Sequence, residues 1–194
     1  TQGGTYPSAV LGRCARAIRP GYFGSMPGED FEDCMDSWRA CGHGARAVAP
    51  SMMERGTGHI VNVSSMAGLL GIFGYTAYSS AKYAIMGFSE ALRSEMKPYG
   101  VRVSVVCPPD TDTPGLAFEK SLRPPETEKV AGNIAPVLPA VVAEDIVRGV
   151  EKGRYLIVPG MLSKFYRVLK ANAQWLFFAI TDSDVAAARK ARGA

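Results

Sequence analysis

The chain is poor in residues that build metal centres. Its 194 residues include two histidines, His43 and His59. Four cysteines are scattered without a C-x-x-C pair: Cys14, Cys34, Cys41 and Cys107. A zinc site needs about four such ligands at close spacing, so we predict no metal centre. Unpaired cysteines also favour a reduced, cytoplasmic compartment.

Targeting signals, long hydrophobic runs and nucleic-acid motifs are absent as well. The chain begins with Thr1 and has no basic and apolar leader, so we expect residues before Thr1 to be missing from it. Residues 130–143 carry no charge but contain Gly132, Pro136 and Pro139, which favours a loop over a membrane span. No RNA- or DNA-binding motif is present, so we expect no nucleic-acid partner.

What the chain does contain is typical of one globular domain with a basic tail. Hydrophobic residues make up 47% and charged residues 21%. From Lys152 onward, eight Lys and Arg face two Asp, so this tail is strongly basic although the whole chain has a net charge of only +4. The tail therefore favours an anionic surface, such as a membrane, as a partner.

Helical and strand patterns alternate along the chain. The glycines of Ser37–Gly44 interrupt the first helical pattern, because each costs about 1 kcal/mol inside a helix. The alternation predicts an α/β protein with a parallel sheet. The predicted strands are 8–11, 59–63, 101–107 and 155–158, and the predicted helices are 29–55, 75–97 and 144–152.

Polar residues follow two of these strands directly. Ser64 and Ser65 end one strand, and Asp110–Thr113 follow the next. Ligands of open α/β sheets bind beyond the carboxyl ends of the strands, so both clusters should face one crevice. The predicted helix 75–97 lies between these two strands. Tyr78 and Lys82 are four residues apart on it and therefore share one face.

These residues carry a family resemblance. The motif Tyr78-Ser79-Ser80-Ala81-Lys82 has the form Y-x-x-x-K and begins thirteen residues after Ser65, which ends an I-V-N-V-S-S segment. Over about residues 8–160 the chain resembles the short-chain dehydrogenases/reductases. The resemblance implies a Rossmann-like, doubly wound parallel sheet. Residues 1–160 would be the C-terminal part of that domain, and 161–194 a basic amphipathic helical segment.

Short strings narrow the resemblance to one subgroup. The strings are PPDTDTPG at Pro108–Gly115, GIFGYTAY at 71–78 and MKPY at 96–99. They are similar to those of the 3-ketodihydrosphingosine reductases. This implies a reductase that uses NADPH, with NADH as the alternative, and a lipid-like ketone substrate such as 3-ketosphinganine.

The resemblance also implies roles for individual side chains. Tyr78 would give its proton to the ketone oxygen, and Ser65 would hold that oxygen. Lys82 would bind the nicotinamide ribose, and its charge would lower the pKa of the Tyr78 phenol, which is near 10 in a free tyrosine. Pro108, Thr111 and Thr113 would line the nicotinamide and pyrophosphate side of the cofactor.

Plainer interpretations of the same residues stay open. Tyr78 and Lys82 could be an ordinary surface pair of an amphipathic helix, and Ser65 could cap a turn. We interpret Ser64 as structural. We interpret Gly68, Gly71 and Gly74 as a flexible substrate loop rather than a phosphate cradle, because they follow the serine.

The chain departs from the family in three places. The T-G-x-x-x-G-x-G turn is absent, so about the first three βα units and the adenosine-side pocket would be missing. Arg13–Arg16 replaces the family's N-x-A-G segment. The family's catalytic Asn aligns with Trp38, in a segment, Ser37–Gly44, that is one residue short. We hypothesise a local reading-frame error there; source DNA with no simple one-base repair to the family pattern would reject it.

The tail has its own pattern. Apolar and aromatic residues recur at helical spacing over Leu162–Ile180, beside Lys164, Arg167 and Lys170. The uncharged run Ala171–Thr181 is too short to span a bilayer. We predict an amphipathic helix on a membrane surface; a substrate lid or dimer helix packed on the domain is the alternative.

Two competing functions complete the predictions. One is another short-chain oxidoreductase, acting on a steroid, retinoid or acyl chain. The other is a truncated, inactive relative that serves as a binding or dimerisation module. The resemblance implies that helices 29–55 and 75–97 would pair copies of the chain into a homo-oligomer.

Overall fold

A four-stranded parallel sheet forms the centre of the protein. The computed structural model describes residues 8–11, 18–132 and 135–193, and the strands stand in the order β1-β2-β3-β4. This confirms the predicted α/β class with a parallel sheet. The strands are β1 Ser8–Leu11, β2 Gly58–Val63, β3 Val101–Val106 and β4 Leu156–Ile157; the helices are α1 Gly28–Arg55, α2 Thr76–Met96, α3 Pro114–Ser121, α4 Pro125–Ala131, α5 Pro139–Glu151, α6 Met161–Asn172 and α7 Gln174–Arg192.

Helices cover both faces of the sheet because successive strand residues point to opposite sides. Ile60 of β2 packs with Met52 of α1 and Met96 of α2. Its neighbour Val61 packs on the other face with Val106 and Ile157, against Ile146 of α5. Strands β2 and β3 are buried on both faces, and their buried polar side chains are paired: His59 with Ser104, and Asn62 with Ser89 of α2.

Two predictions about the helices are wrong: the interruption inside the first helix and the start of the helix before β4. Helix α1 runs unbroken through Ser37–Gly44, because Ser37, Cys41 and Ala45 recur every four residues as one buried face, and burying that face offsets the cost of the glycines. Helix α5 begins at Pro139, not at 144, because proline suits the first turn of a helix. The predicted loop 130–143 is therefore only partly a loop, and α3 and α4 were not predicted.

The tail forms two helices where one was predicted. Helix α6 ends at Asn172, and Ala173 leaves helical geometry with φ −141° and ψ 56°. Phe177 of α7 is only 5% exposed, within the cluster that contains Cys41 and Cys107. Near the other end of α7, Arg189 and Arg192 approach the buried Glu126 of α4, at 3.7 and 3.6 Å. Helix α7 therefore packs on the domain.

Some sequence features lie outside the described residues. They include Thr1–Pro7 and the Arg13–Arg16 segment. Within the described residues, no helix combines the length and the hydropathy needed to cross a bilayer.

Candidate active site

Backbone hydrogen bonds bring the two predicted polar clusters together. Beyond the β2–β3 ladder, the N–H of Ser64 donates to Val106 O (2.8 Å) and the N–H of Met66 donates to Pro108 O (2.9 Å). Ser65, between these two donors, therefore lies beside the start of the Pro108–Thr113 loop. The prediction that both clusters meet at one end of the sheet is confirmed.

Ser64 ties this strand end to helix α2. Its hydroxyl is buried and donates to the carbonyl oxygen of Lys82 (2.9 Å). Gly68 allows the contact, since a Cβ there would lie 2.4 Å from Ser64 Oγ and 2.8 Å from Lys82 O. The structural interpretation of Ser64 is borne out.

The glycines beside Ser65 serve packing more than flexibility. Gly68 presses on α2, and Gly74 has φ +81° with its α-carbon against Thr127, where a Cβ would lie 2.2 Å from Oγ1. Only Gly71 faces open space. The interpretation as a flexible substrate loop is therefore wrong for Gly68 and Gly74.

Tyr78 and Lys82 lie one turn apart on α2, as predicted. Tyr78 is half-buried, whereas Lys82 is only 3% exposed, and Lys82 Nζ is 5.4 Å from the centre of the Tyr78 ring. A lysine is seldom buried this fully. The pair is therefore not the solvated surface pair of the plainer interpretation.

Ser65 caps the 3-10 turn Met66–Gly68. Its Oγ accepts a hydrogen bond from Ala67 N at 3.2 Å. A serine hydroxyl also has one hydrogen to donate, so capping does not use up its capacity. Ser65 can therefore cap the turn and still offer a donor to a substrate oxygen.

The two threonines of the loop make local bonds. Thr111 donates to Pro109 O (3.0 Å), and its backbone forms a bridge with Val137. Thr113 accepts from Leu116 N (3.2 Å) and caps α3. The structure places both on the loop beyond β3, and their role toward a cofactor stays a prediction.

A buried ion cluster, which the sequence patterns did not reveal, joins this loop to α2. The Arg123 side chain is 1% exposed, and its Nη2 donates to Asp110 (2.6 Å) and to Glu119 (2.8 Å). Its Nε donates to the Tyr75 hydroxyl (2.7 Å), and that hydroxyl donates to Glu119. Only the four-residue spacing of Glu119 and Arg123 could have signalled it.

The cluster holds Tyr75, a close neighbour of Tyr78, in a fixed hydrogen-bonded position. The Tyr75 ring lies 5.9 Å from the Tyr78 ring. Burial and the nearby Glu119 raise the pKa of Tyr75. Although burial alone would lower it, hydrogen bonds to Asp110 and Glu119 raise the pKa of Arg123. Tyr75 thus acts as a fixed hydrogen-bond donor to Glu119 within the cluster.

The cysteines near the crevice are not nucleophiles. Burial raises the pKa of Cys107 to about 12 and that of Cys34 to about 11. Both thiols therefore stay protonated at neutral pH, and a thiolate mechanism needs the deprotonated form. Within the described residues, no three His, Cys, Asp or Glu side chains cluster as metal ligands.

Trp38, which the resemblance aligns with the family's Asn, points outward from α1. Its side chain is 37% exposed. The buried position beside it belongs to Ser37, whose hydroxyl donates to Cys34 O (2.8 Å). The resemblance therefore matches Trp38 with the family's Asn, whereas the structure places Ser37 on the buried face of this segment.

Comparison with known proteins identifies the family of this chain. The family model described as short chain dehydrogenase matches residues 9–122, more than half of the chain. The chain belongs to the short-chain dehydrogenase/reductase family. Its Ser65, Tyr78 and Lys82 stand at the positions of the family motif, although their roles in this chain stay a prediction.

Curated members of the family include close relatives. The 3-ketodihydrosphingosine reductase of Dictyostelium discoideum is 40% identical over 184 residues, which cover 93% of this chain and 54% of that protein. The enzyme of the same name from Mus musculus is 45% identical over 150 residues, covering 77% of this chain and 45% of that protein. The chain spans about half the length of these relatives.

Solved short-chain dehydrogenases share the fold. One from Streptomyces avermitilis has a TM-score of 0.72 at 23% identity, covering 91% of this chain and 68% of its own. Another, from Sphingobium yanoikuyae in complex with NADPH, has a TM-score of 0.65 at 22% identity. The match covers 83% of this chain and 61% of that one. These likenesses confirm the Rossmann-like fold.

Replacing Arg123 with Met should strongly destabilise the protein. The change leaves Asp110 and Glu119 without their cation, and breaking a buried ion pair costs about 3–5 kcal/mol. Arg39 is a matched control, because it also pairs with two acids, Glu32 and Asp36, but at the surface. Arg39→Met should cost about 1 kcal/mol or less. Urea unfolding of both variants measures the difference, and equal losses would contradict the role of the cluster.

Proposed function

We propose that the chain carries the catalytic part of an NADPH-dependent ketone reductase that acts on 3-ketosphinganine. The observation that carries the proposal is that the strand end holding Ser65 is tied through Ser64 to the backbone of the buried Lys82, whose ammonium lies 5.4 Å from the centre of the Tyr78 ring. Relatives named for the reduction of 3-ketodihydrosphingosine, at 40–45% identity, support the substrate.

The donors at the crevice fit the nicotinamide end of a dinucleotide. Lys82 supplies a cation, and the hydroxyls of Ser65 and Thr113, which accept bonds from backbone N–H groups, each have a hydrogen that suits ribose and phosphate oxygens. The Thr111 hydroxyl would have to turn from Pro109 O to donate in the same way. A solved protein of the same fold holds NADPH, which favours NADPH over the alternative, NADH. When bound, the nicotinamide supplies the hydride.

The side chains of this chain handle the oxygen and its proton. Ser65 donates a hydrogen bond to the ketone oxygen, where negative charge develops during reduction. The Tyr78 hydroxyl gives its proton to that oxygen, and the buried charge of Lys82 stabilises the phenolate left behind. Lys82 would also donate to the ribose hydroxyls of the cofactor. Pro108, Thr111 and Thr113 would line the side toward the pyrophosphate.

Replacing Tyr78 with Phe should abolish most of the turnover. Loss of a general acid lowers kcat by about 100-fold or more. The matched control is Tyr99→Phe, because Tyr99 is exposed and lies beyond the end of α2, so it should keep the parent's rate. Reduction of 3-ketosphinganine is followed by NADPH oxidation and by mass spectrometry of the product.

Other outcomes of this assay separate the competing functions. A Tyr78→Phe variant as active as the parent would exclude the mechanism. Turnover of a steroid, retinoid or acyl ketone but not of 3-ketosphinganine would move the chain to another oxidoreductase class. NADPH is also mixed with the chain at millimolar concentration. If the fluorescence of the cofactor does not change and the unfolding temperature of the chain does not shift, the inactive binding module is the better description.

We propose a membrane surface as a partner of residues 162–180. Met161, Leu162, Phe165 and Val168 of α6 are exposed, with Lys164 and Arg167 among them, which suits an anionic interface near a lipid substrate. The buried Phe177 argues against docking by the whole segment, so α6 is the part that we assign to it.

Phe165→Glu should reduce sedimentation with anionic vesicles by about fivefold or more, since it puts a charge on the apolar face. The control is Phe118→Glu, because Phe118 of α3 is exposed to a similar degree but lies outside the tail. Equal sedimentation of both variants and the parent would reject the membrane role.

We also propose that copies of the chain pair through helices 29–55 and 75–97. In the structure α1 and α2 pack side by side, and Trp38 and Tyr83 are exposed on them. Aromatic side chains are enriched at such interfaces. Sedimentation velocity should show a dimer that Trp38→Glu dissociates; a parent chain that stays monomeric at high concentration would contradict this pairing.

A further inference from the structure

A basic cavity opens at the β4 edge of the sheet. Its volume is about 610 Å³, within the range of about 300–1,000 Å³ that is common for small-molecule sites. It lies between α5, β4 and α6, and none of the candidate catalytic side chains lines it. Five cations surround it with a single carboxylate: Arg148, Lys152, Arg154, Lys164, Arg167 and Asp145.

The one carboxylate does not neutralise these cations. Asp145 Oδ2 accepts from Gly160 N (3.3 Å) at the start of α6, and Oδ1 lies 3.7 Å from Arg148. Arg148 also pairs with Glu144 of the same helix (3.8 Å), so Arg148 is the cation that nearby acids offset. Across residues 8–11, 18–132 and 135–193, no ion pair forms at Lys152, Arg154, Lys164 or Arg167. Like charges around a concave surface raise the local potential and attract anions.

The open strand edge adds backbone donors. The carbonyl groups of Tyr155 and Ile157 accept from β3, through Val105 N and Cys107 N (2.7 and 2.8 Å). Because backbone groups alternate in direction along a strand, those of Leu156 and Val158 point away from β3, toward the open edge. The cavity thus combines guanidinium, ammonium and outward-facing backbone N–H groups.

We propose that this cavity binds a phosphate group, carried either by a small soluble molecule or by a lipid headgroup. Arginine forks match two phosphate oxygens at once, and lysines add point charges. Leu156, Ile157 and Val158 add an apolar part to the lining. The site is independent of the reductase chemistry proposed above.

The full chain is titrated with pyrophosphate by calorimetry. The double variant Lys152→Gln/Arg167→Gln should bind at least about tenfold more weakly than the parent. The control is Arg55→Gln/Lys97→Gln, which removes the same charges at two exposed positions outside the cavity and should keep the parent's affinity. Thermal unfolding without ligand verifies that both double variants fold.

Three results overturn the site. The first is the absence of saturable binding at millimolar pyrophosphate. The second is equal weakening in both double variants, because that would be attraction to net charge alone. The third is unchanged binding by the cavity variant; if that variant also self-associates, the cations serve to protect an open strand edge from pairing.

Vesicles of phosphatidylcholine with phosphatidic acid identify the source of the phosphate. Sedimentation with these vesicles that pyrophosphate displaces, and that Lys152→Gln alone reduces, assigns the cavity to a lipid headgroup, because Lys152 lies outside the α6 surface proposed to dock on membranes. Saturable pyrophosphate binding without such displacement assigns it to a soluble phosphorylated molecule.

Discussion

The parallel pairing of β2 with β3 is the constraint on which the candidate site depends. The register sets Val63 beside Val106, and the backbone bonds continue past the strands to Pro108. A slip of one residue would reverse the side of the sheet that each side chain faces and would separate Ser65 from the loop. The burial of β2 and β3 on both faces opposes such a slip.

Helix α2 is fixed to that strand end at two points. Near Lys82, the buried Ser64 hydroxyl holds the helix backbone, and Gly68 lets the turn approach it. At the helix start, Tyr75 joins the Arg123 cluster, which also holds Asp110 of the loop. Tyr78 lies between these two fixed points. The same cluster therefore orients both the helix and the loop around the crevice.

Part of this arrangement could be predicted from the sequence because it is local. The strand patterns of the sequence located the strands, and the polar residues that follow two of them located the strand end at which Ser65 lies. What failed depended on distant contacts. The glycines of α1 are tolerated because Ser37, Cys41 and Ala45 bury one face against α2, and no local pattern shows that. The tail breaks at Ala173 so that Phe177 can reach the core, and the Arg123 cluster joins residues from three separate segments.

The tail and the β4 edge carry structural features that the motif does not describe. Helix α7 closes the core beneath the crevice, while α6 leaves apolar and cationic groups exposed. The basic cavity lies between α6 and the last strand, away from Ser65 and Tyr78. The proposed reductase site and the proposed anion site thus lie in different parts of the domain, connected through the same sheet.

The central claim is that Ser65 and Tyr78 act on one substrate oxygen. A double-mutant cycle of Ser65→Ala and Tyr78→Phe on kcat/KM tests it most directly. Because both side chains serve the same oxygen, we predict that the double variant loses little more activity than the worse single variant, a coupling of about 1 kcal/mol or more. Losses that simply add, or a parent chain with no measurable turnover, would contradict the account.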